Sequence, residues 1–145
     1  METEKFHHKI SIKVRFSDLD AMGHVNNASY LSYLEEARLA YYNHVLKMDT
    51  NNLDFNAVIA RIEIDYVGQI RLGDIVEVYT RTGKIGNKSS DLEHIVVVAN
   101  NGDKKIAARA LTKLVSFDYR KNASVPVSEE AKKIIEEFEK RGITA

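Results

Sequence analysis

From Lys9 to Phe16 the chain reads KISIKVRF, apolar and polar residues in alternation, which is the period of a strand with one covered face. Farther on the period changes. Tyr30, Leu34, Ala37, Tyr41 and Val45 recur at steps of three and four, and this spacing predicts a helix from Ala28 to about Met48. Leu31, Tyr33, Tyr42 and Leu46 widen the stripe until the helix is apolar nearly all round, so it has to be enclosed. Four strand-like runs follow, at about 55–70, 74–84, 89–100 and 104–118. The joints RLGD, IGNKS and NNGDK carry the Gly and Asn residues that suit tight turns between antiparallel strands. In VIARIEIDY the residues Val58, Ala60, Ile62, Ile64 and Tyr66 fall on one face, expected to be core. Arg61, Glu63 and Asp65 fall on the other, toward water or another subunit.

A helix of about 20 residues is roughly 30 Å long, a distance that a strand of about nine residues also covers. The matching lengths predict an α+β fold in which one curled antiparallel sheet wraps around one long central helix. VSEEAKKIIEEFEKR adds an amphipathic C-terminal helix on the outside, set apart from the last strand by Pro126. The 145 residues have room for one core, so one domain over residues 1–145 is expected. Basic and acidic residues number 21 each, which leaves no basic field to recruit nucleic acid or an anionic membrane surface. Without cysteine there are no disulfides, thiolate metal sites or thiol nucleophiles. The polar start METEKFHHKI and the lack of a spanning apolar run make a soluble, cytoplasmic protein the expectation. An open sheet has unpaired edges, and these predict a homodimer or a homotetramer.

Chemistry concentrates in FSDLDAMGHVNN, just before the helix. The first N–H groups of a helix lack intrahelical partners and its dipole is positive there, so the site suits an anion or a polarised carbonyl. Asn26 or Asn27 can cap the helix, and Gly23 lets the loop turn sharply. Asp20, on that loop, can reach the same volume as a nucleophile or as a base toward water. A carboxylate beside carbonyl-polarising N–H groups is hydrolase chemistry. Asp18 and Asp20 can each be a local turn former, the preferred reading for Asp18, and His24 reads as an orienting or packing residue. Glu35 pairs naturally with Arg38 within one helical turn, with a second catalytic carboxylate at Glu35 as the alternative. Asp18, Asp20 and His24 lack the further ligands of a metal site, so neither metal nor cofactor is expected. His7 and His8 read as solvated, and Tyr30, Tyr33, Tyr41 and Tyr42 as mostly core.

The run FSDLDAMGHVNNASYLSYLEEAR followed by VIARIEIDYVGQIRLGD resembles the hotdog-fold acyl-CoA thioesterases, the group that includes 4-hydroxybenzoyl-CoA thioesterase. The likeness in element order runs from Lys9 to Asp118. It implies hydrolysis of an acyl-CoA to a free acid and coenzyme A, with Asp20 as the catalytic carboxylate. It also implies an oxyanion-binding N–H near Asn27, a second backbone donor near Asn56, and Lys88 with Ser89 beside it at the phosphates of coenzyme A. Active sites would lie between two subunits. GHVNN is similar as well to plant acyl-ACP thioesterases, in which a His after the Asp has a catalytic part. Here Met22 stands where those enzymes carry Asn, which argues against a His24-dependent mechanism and a carrier-protein substrate. An acyl-ACP thioesterase and a non-catalytic acyl-thioester-binding or sensor module remain the alternatives.

Overall fold

The computed structural model describes residues 2–48 and 56–140. Phe55 and Arg141, read as the ends of a strand and of the last helix, lie outside the described residues. In chain order come β1 (His8–Lys13), α1 (Asn27–Leu46), β2 (Ala57–Tyr66), β3 (Ile75–Ile85), β4 (Ser89–Asn100), β5 (Asp103–Asp118), β6 (Ala123–Ser124) and α2 (Glu129–Lys140). Short 3₁₀ turns span Glu2–Lys5 and Phe16–Asp18. The strands form one antiparallel sheet in the order β1-β3-β4-β5-β2, and β6 pairs with the end of β5. The expected curled sheet with a long helix and a C-terminal helix is therefore what the chain forms.

Helix α1 ends where Lys47 takes the left-handed conformation, with φ 55°. Its first half packs Tyr30, Tyr33, Leu34 and Ala37 against Ile12, Val76, Val78 and Val96 of the sheet. Its second half packs Tyr41, Tyr42 and Val45 against Leu92, Leu114 and, from α2, Ile135. Between these apolar regions lies a polar layer of Arg38, Thr80, His94 and Thr112, none more than 8% exposed. Thr80 Oγ1 is 3.0 Å from His94 Nδ1. Burial, reinforced by the charge of Arg38, holds the His94 pKa down at about 3.

Four expectations need correction. The joint RLGD does not connect neighbouring strands: β2 is an edge and β3 lies across the sheet from it, so residues 67–74 form a crossover. This crossover runs tight against β5, where a Cβ on Gly68 would sit 3.1 Å from the Ile106 carbonyl oxygen. Second, the face assigned to β2 shifts midway. Ile59 pairs with Leu114 and Arg61 with Lys113, leaving Ala60 as an extra, bulged residue. Cross-strand partners project from one face, so Ile59, Ile62 and Ile64 share the inner face with Leu114, Thr112 and Ala110, while Val58 turns outward with Val115. Third, α1 is not enclosed all round within this chain. Ala28, Leu31, Ser32 and Glu35 form an exposed stripe, with Leu31 at 42%. Fourth, His8 is half-buried, its ring 5.3 Å from that of His44 and 5.7 Å from that of Tyr41. Burial and then His44 lower its pKa.

Candidate active site

The segment between β1 and α1 is a closed loop. Leu19 and Val25 form an isolated bridge, the Asp20 N–H donates to the His24 carbonyl (2.9 Å), and the Gly23 N–H donates back to the Asp20 carbonyl (3.1 Å). Gly23 makes the turn at φ 85°, a conformation that glycine adopts without steric penalty. The loop fixes the Asp20 carboxylate from both sides. Its Oδ1 accepts the Met22 N–H at 2.9 Å, and its Oδ2 lies 3.3 Å from His24 Nδ1. Asp20 keeps 29% of its side chain exposed and His24 keeps 23%, so both face an accessible volume.

Asp18 does different work and is more than a turn former. It is 3% exposed and accepts the Arg15 N–H (2.9 Å), the Arg15 guanidinium (3.2 Å) and the Tyr33 hydroxyl of α1 (2.8 Å). Burial alone would raise its pKa. The Arg15 N–H, the Tyr33 hydroxyl and the Arg15 guanidinium together outweigh that and hold it below the ordinary carboxylate value. Its carbonyl accepts the Asn26 N–H (2.8 Å), which ties the loop to the helix start.

At that start Asn26 is the cap, its side chain accepting the Ala28 N–H at 2.9 Å, and the Ser29 N–H donates to the Asn26 carbonyl. The Asn27 N–H is left without an acceptor among the described residues. It is a free, dipole-favoured donor at the mouth of the loop that carries Asp20. Sequence reasoning missed Tyr66. Placed in the core by alternation, it is 41% exposed, and its hydroxyl donates to the Asn27 carbonyl at 3.0 Å. The local alternation carries no signal of this, because only the docking of the strand's end beside the helix start brings the hydroxyl there.

The remaining expected residues lie elsewhere. The Asn56 carbonyl accepts the Phe117 N–H (2.9 Å) and the Lys88 carbonyl accepts the Ser116 N–H (2.8 Å), so Asn56, Lys88 and Ser89 gather at one end of the sheet, beside the C-terminal end of α1. Tyr66, beside the helix start, pairs with Ala108, whereas Ala57 pairs with Ser116. Those eight steps of β5 separate the two groups by about 27 Å. Within one chain Asp20 and His24 come together on the loop that leads directly into the helix start at Asn27, and Asn56, Lys88 and Ser89 gather at the other end of the sheet, so the two sets do not meet. Glu35 is exposed two turns along α1 and attracts the Arg38 charge rather than joining Asp20. Among the described residues no group of three or more His, Asp or Glu side chains is arranged to hold a metal ion.

A curled antiparallel sheet packed on one long helix, with a C-terminal helix, is the hotdog architecture. The chain belongs to the thioesterase-like superfamily, whose family model matches residues 14–135. It is similar to a thioesterase from Thermus thermophilus crystallised with coenzyme A and Zn. That likeness has a TM-score of 0.84 and 38% identity, covering 95% of this chain and 98% of the other. It is 30% identical over 132 residues to the long-chain acyl-CoA thioesterase FadM of Escherichia coli K12, covering 89% of this chain and 97% of FadM. A third match, 33% identical over 90 residues, is to YsmA of Bacillus subtilis 168, where it spans 62% of this chain and 59% of YsmA.

Proposed function

We propose that this chain, as a single domain, hydrolyses an acyl-CoA thioester to a carboxylic acid and coenzyme A, with Asp20 as the catalytic carboxylate. The observation that carries the reading is the Asp20 carboxylate, partly exposed and held by Met22 and His24, on a loop that is tied through the Asn26 N–H to the helix start, where the Asn27 N–H is free. The Asn27 N–H stabilises the oxyanion that forms when the carbonyl is attacked. Asp20 acts as the nucleophile or as the base that takes a proton from the attacking water. In the second case hydroxide adds to the carbonyl carbon, the C–S bond breaks, and the proton returns to the coenzyme A thiolate. His24 is a positioning residue that fixes Asp20. The relative FadM, named a long-chain acyl-CoA thioesterase, and the T. thermophilus complex with coenzyme A support acyl-CoA as the substrate class. A cytoplasmic setting, where coenzyme A thioesters are available, belongs to the same proposal.

The working unit is a homodimer or a dimer of dimers. The outer edge of strand β2 is unpaired among the described residues, and α1 leaves its Leu31 stripe exposed. Two copies of β2 paired antiparallel about a two-fold axis at the strand's midpoint place Asn56 of each chain opposite Val67 of the other. That position is next to Tyr66 and the helix start. The pairing would bring Asn56, Lys88 and Ser89 to the partner's Asp20 and make one site from the two separated sets, with Lys88 as a mobile point charge for phosphate.

Asp20→Asn keeps the shape of the loop but removes the base and nucleophile. The kcat for acyl-CoA should fall about 10²- to 10⁴-fold with the melting temperature unchanged. Near-normal turnover in Asp20→Asn would overturn the assignment.

A further inference from the structure

At the far end of α1 from Asp20, strand β1 and the two helices bring histidines and aromatic rings together. His8 pairs with Thr80, so its side chain projects from the inner face of the sheet toward α1. His44 stands in the last turn of α1 and follows Tyr41 by three positions, on the same side of the helix. The His8 and His44 rings are 5.3 Å apart, centre to centre, and tilted by 35°. Tyr41 lies edge-on to His8 at 5.7 Å, and Phe138 of α2 lies edge-on to His44 at 5.7 Å, so the pair has an aromatic wall. His8 Nδ1 is buried without a hydrogen-bond partner, whereas His44 is exposed and opens the pair to solvent. The catalytic loop makes no use of these rings: from Asn27 to His44 the helix rises about 25 Å.

We propose that His8 and His44 form a binding site for a divalent metal ion of the nickel, copper and zinc group, with one imidazole nitrogen from each ring and water in the remaining positions. Two imidazoles on one tetrahedral ion, each nitrogen about 2.1 Å from the metal, have ring centres about 5 Å apart. The two rings already stand at that separation. A half-turn about Cβ–Cγ exchanges ring nitrogen for carbon at nearly the same ring position, so the separation decides whether one ion can bridge the pair. Imidazole donors alone select this group of metals over magnesium and calcium, which take oxygen ligands. Burial, and then the neighbouring His44, keep the His8 pKa below its ordinary value, and the neutral ring this favours is the form that binds a metal. The bound ion would tie the start of β1 to the end of α1, beneath Phe138 of α2. An unfolded chain does not hold the two rings at this spacing, so the ion favours the folded state.

The test is thermal unfolding of the full chain, stripped of metal with a chelator, in zinc chloride and in magnesium chloride, with calorimetric titration for stoichiometry and Kd. The chain should bind one Zn²⁺, and Tm should rise by several degrees once zinc stands about 100-fold above Kd. Magnesium should leave Tm in place. Loss of an outer partner of a metal ligand already costs about 10- to 100-fold in affinity, so His8→Ala and His44→Ala should each weaken zinc binding by at least that much and remove the Tm shift. His7→Ala should keep both, because that ring lies against Phe138, 6.4 Å away, and not between the pair. If the half-buried His8→Ala does not fold, the exposed His44→Ala alone decides. A wild type whose Tm ignores zinc, a shift that survives His44→Ala in full, or an equal loss in His7→Ala overturns the site. None of these outcomes touches the hydrolase reading, which stands or falls with Asp20→Asn.

Discussion

Asp18 and Asp20 stand two residues apart, yet one is 3% exposed and the other keeps 29% of its side chain in reach of solvent. The difference is in what they bond. Asp18 is spent on Arg15 and Tyr33, and through them it anchors the loop to α1, whereas Asp20 is held by one N–H and one imidazole and stays available. Asp18→Asn should therefore lose stability rather than chemistry. Removing the charge from a carboxylate that accepts three hydrogen bonds should cost on the order of 2 kcal/mol and lower Tm by several degrees. Thermal melts of Asp18→Asn beside Asp20→Asn check this, and equal melting temperatures would refute it. The sequence alone made both aspartates loop residues and separated them only through resemblance. The Tyr33 hydroxyl that distinguishes Asp18 sits fifteen positions away, and only the helix docked on the sheet brings the two together.

Elements were legible where one strand or helix obeyed one period. The turn Asn101–Gly102, with φ 51° and 85°, joins β4 to β5 as the two-residue hairpin that NNGDK announces. The bulge at Ala60 was not legible, because a single extra residue inverts the faces without disturbing the run of apolar residues. The separation of about 27 Å between the two groups of candidate residues was hidden for a related reason: spacing along a chain does not tell which end of a sheet a residue reaches. The polar layer beneath α1 also arises only from packing, and it makes acid a lever on stability. Folded His94 stays neutral until about pH 3, while the unfolded chain takes up the proton below its ordinary value near 6.5. The unfolded state thus binds more protons between about pH 6 and pH 3, and stability falls as pH falls through that window. Urea titrations should show a loss of about 1.4 kcal/mol per pH unit from this residue below about pH 6. In His94→Gln that part of the slope should vanish, and an unchanged slope would show that the histidine takes its proton without unfolding.

The whole molecule is unfinished as a single copy. It leaves the outer edge of β2 unpaired, a stripe of α1 uncovered and the candidate site in two parts, and the proposed second copy would resolve all three. Light scattering at micromolar concentration should give twice or four times the mass of one chain, and the mass of one chain would refute the dimer. The strand order also carries a consequence for how the molecule assembles in time. Strands β3, β4 and β5 follow one another in the chain and pair through short turns, so their contacts are local and close quickly. Strand β1 must find β3, and β2 must find β5, across tens of intervening residues, with His8 opposite Thr80 and Ala57 opposite Ser116. Such distant pairings carry a larger loop-closure entropy and form later. The central meander is thus the natural folding nucleus, and the edge that would recruit the second copy is completed among the last, so a nascent chain exposes that edge only once it has a core to offer.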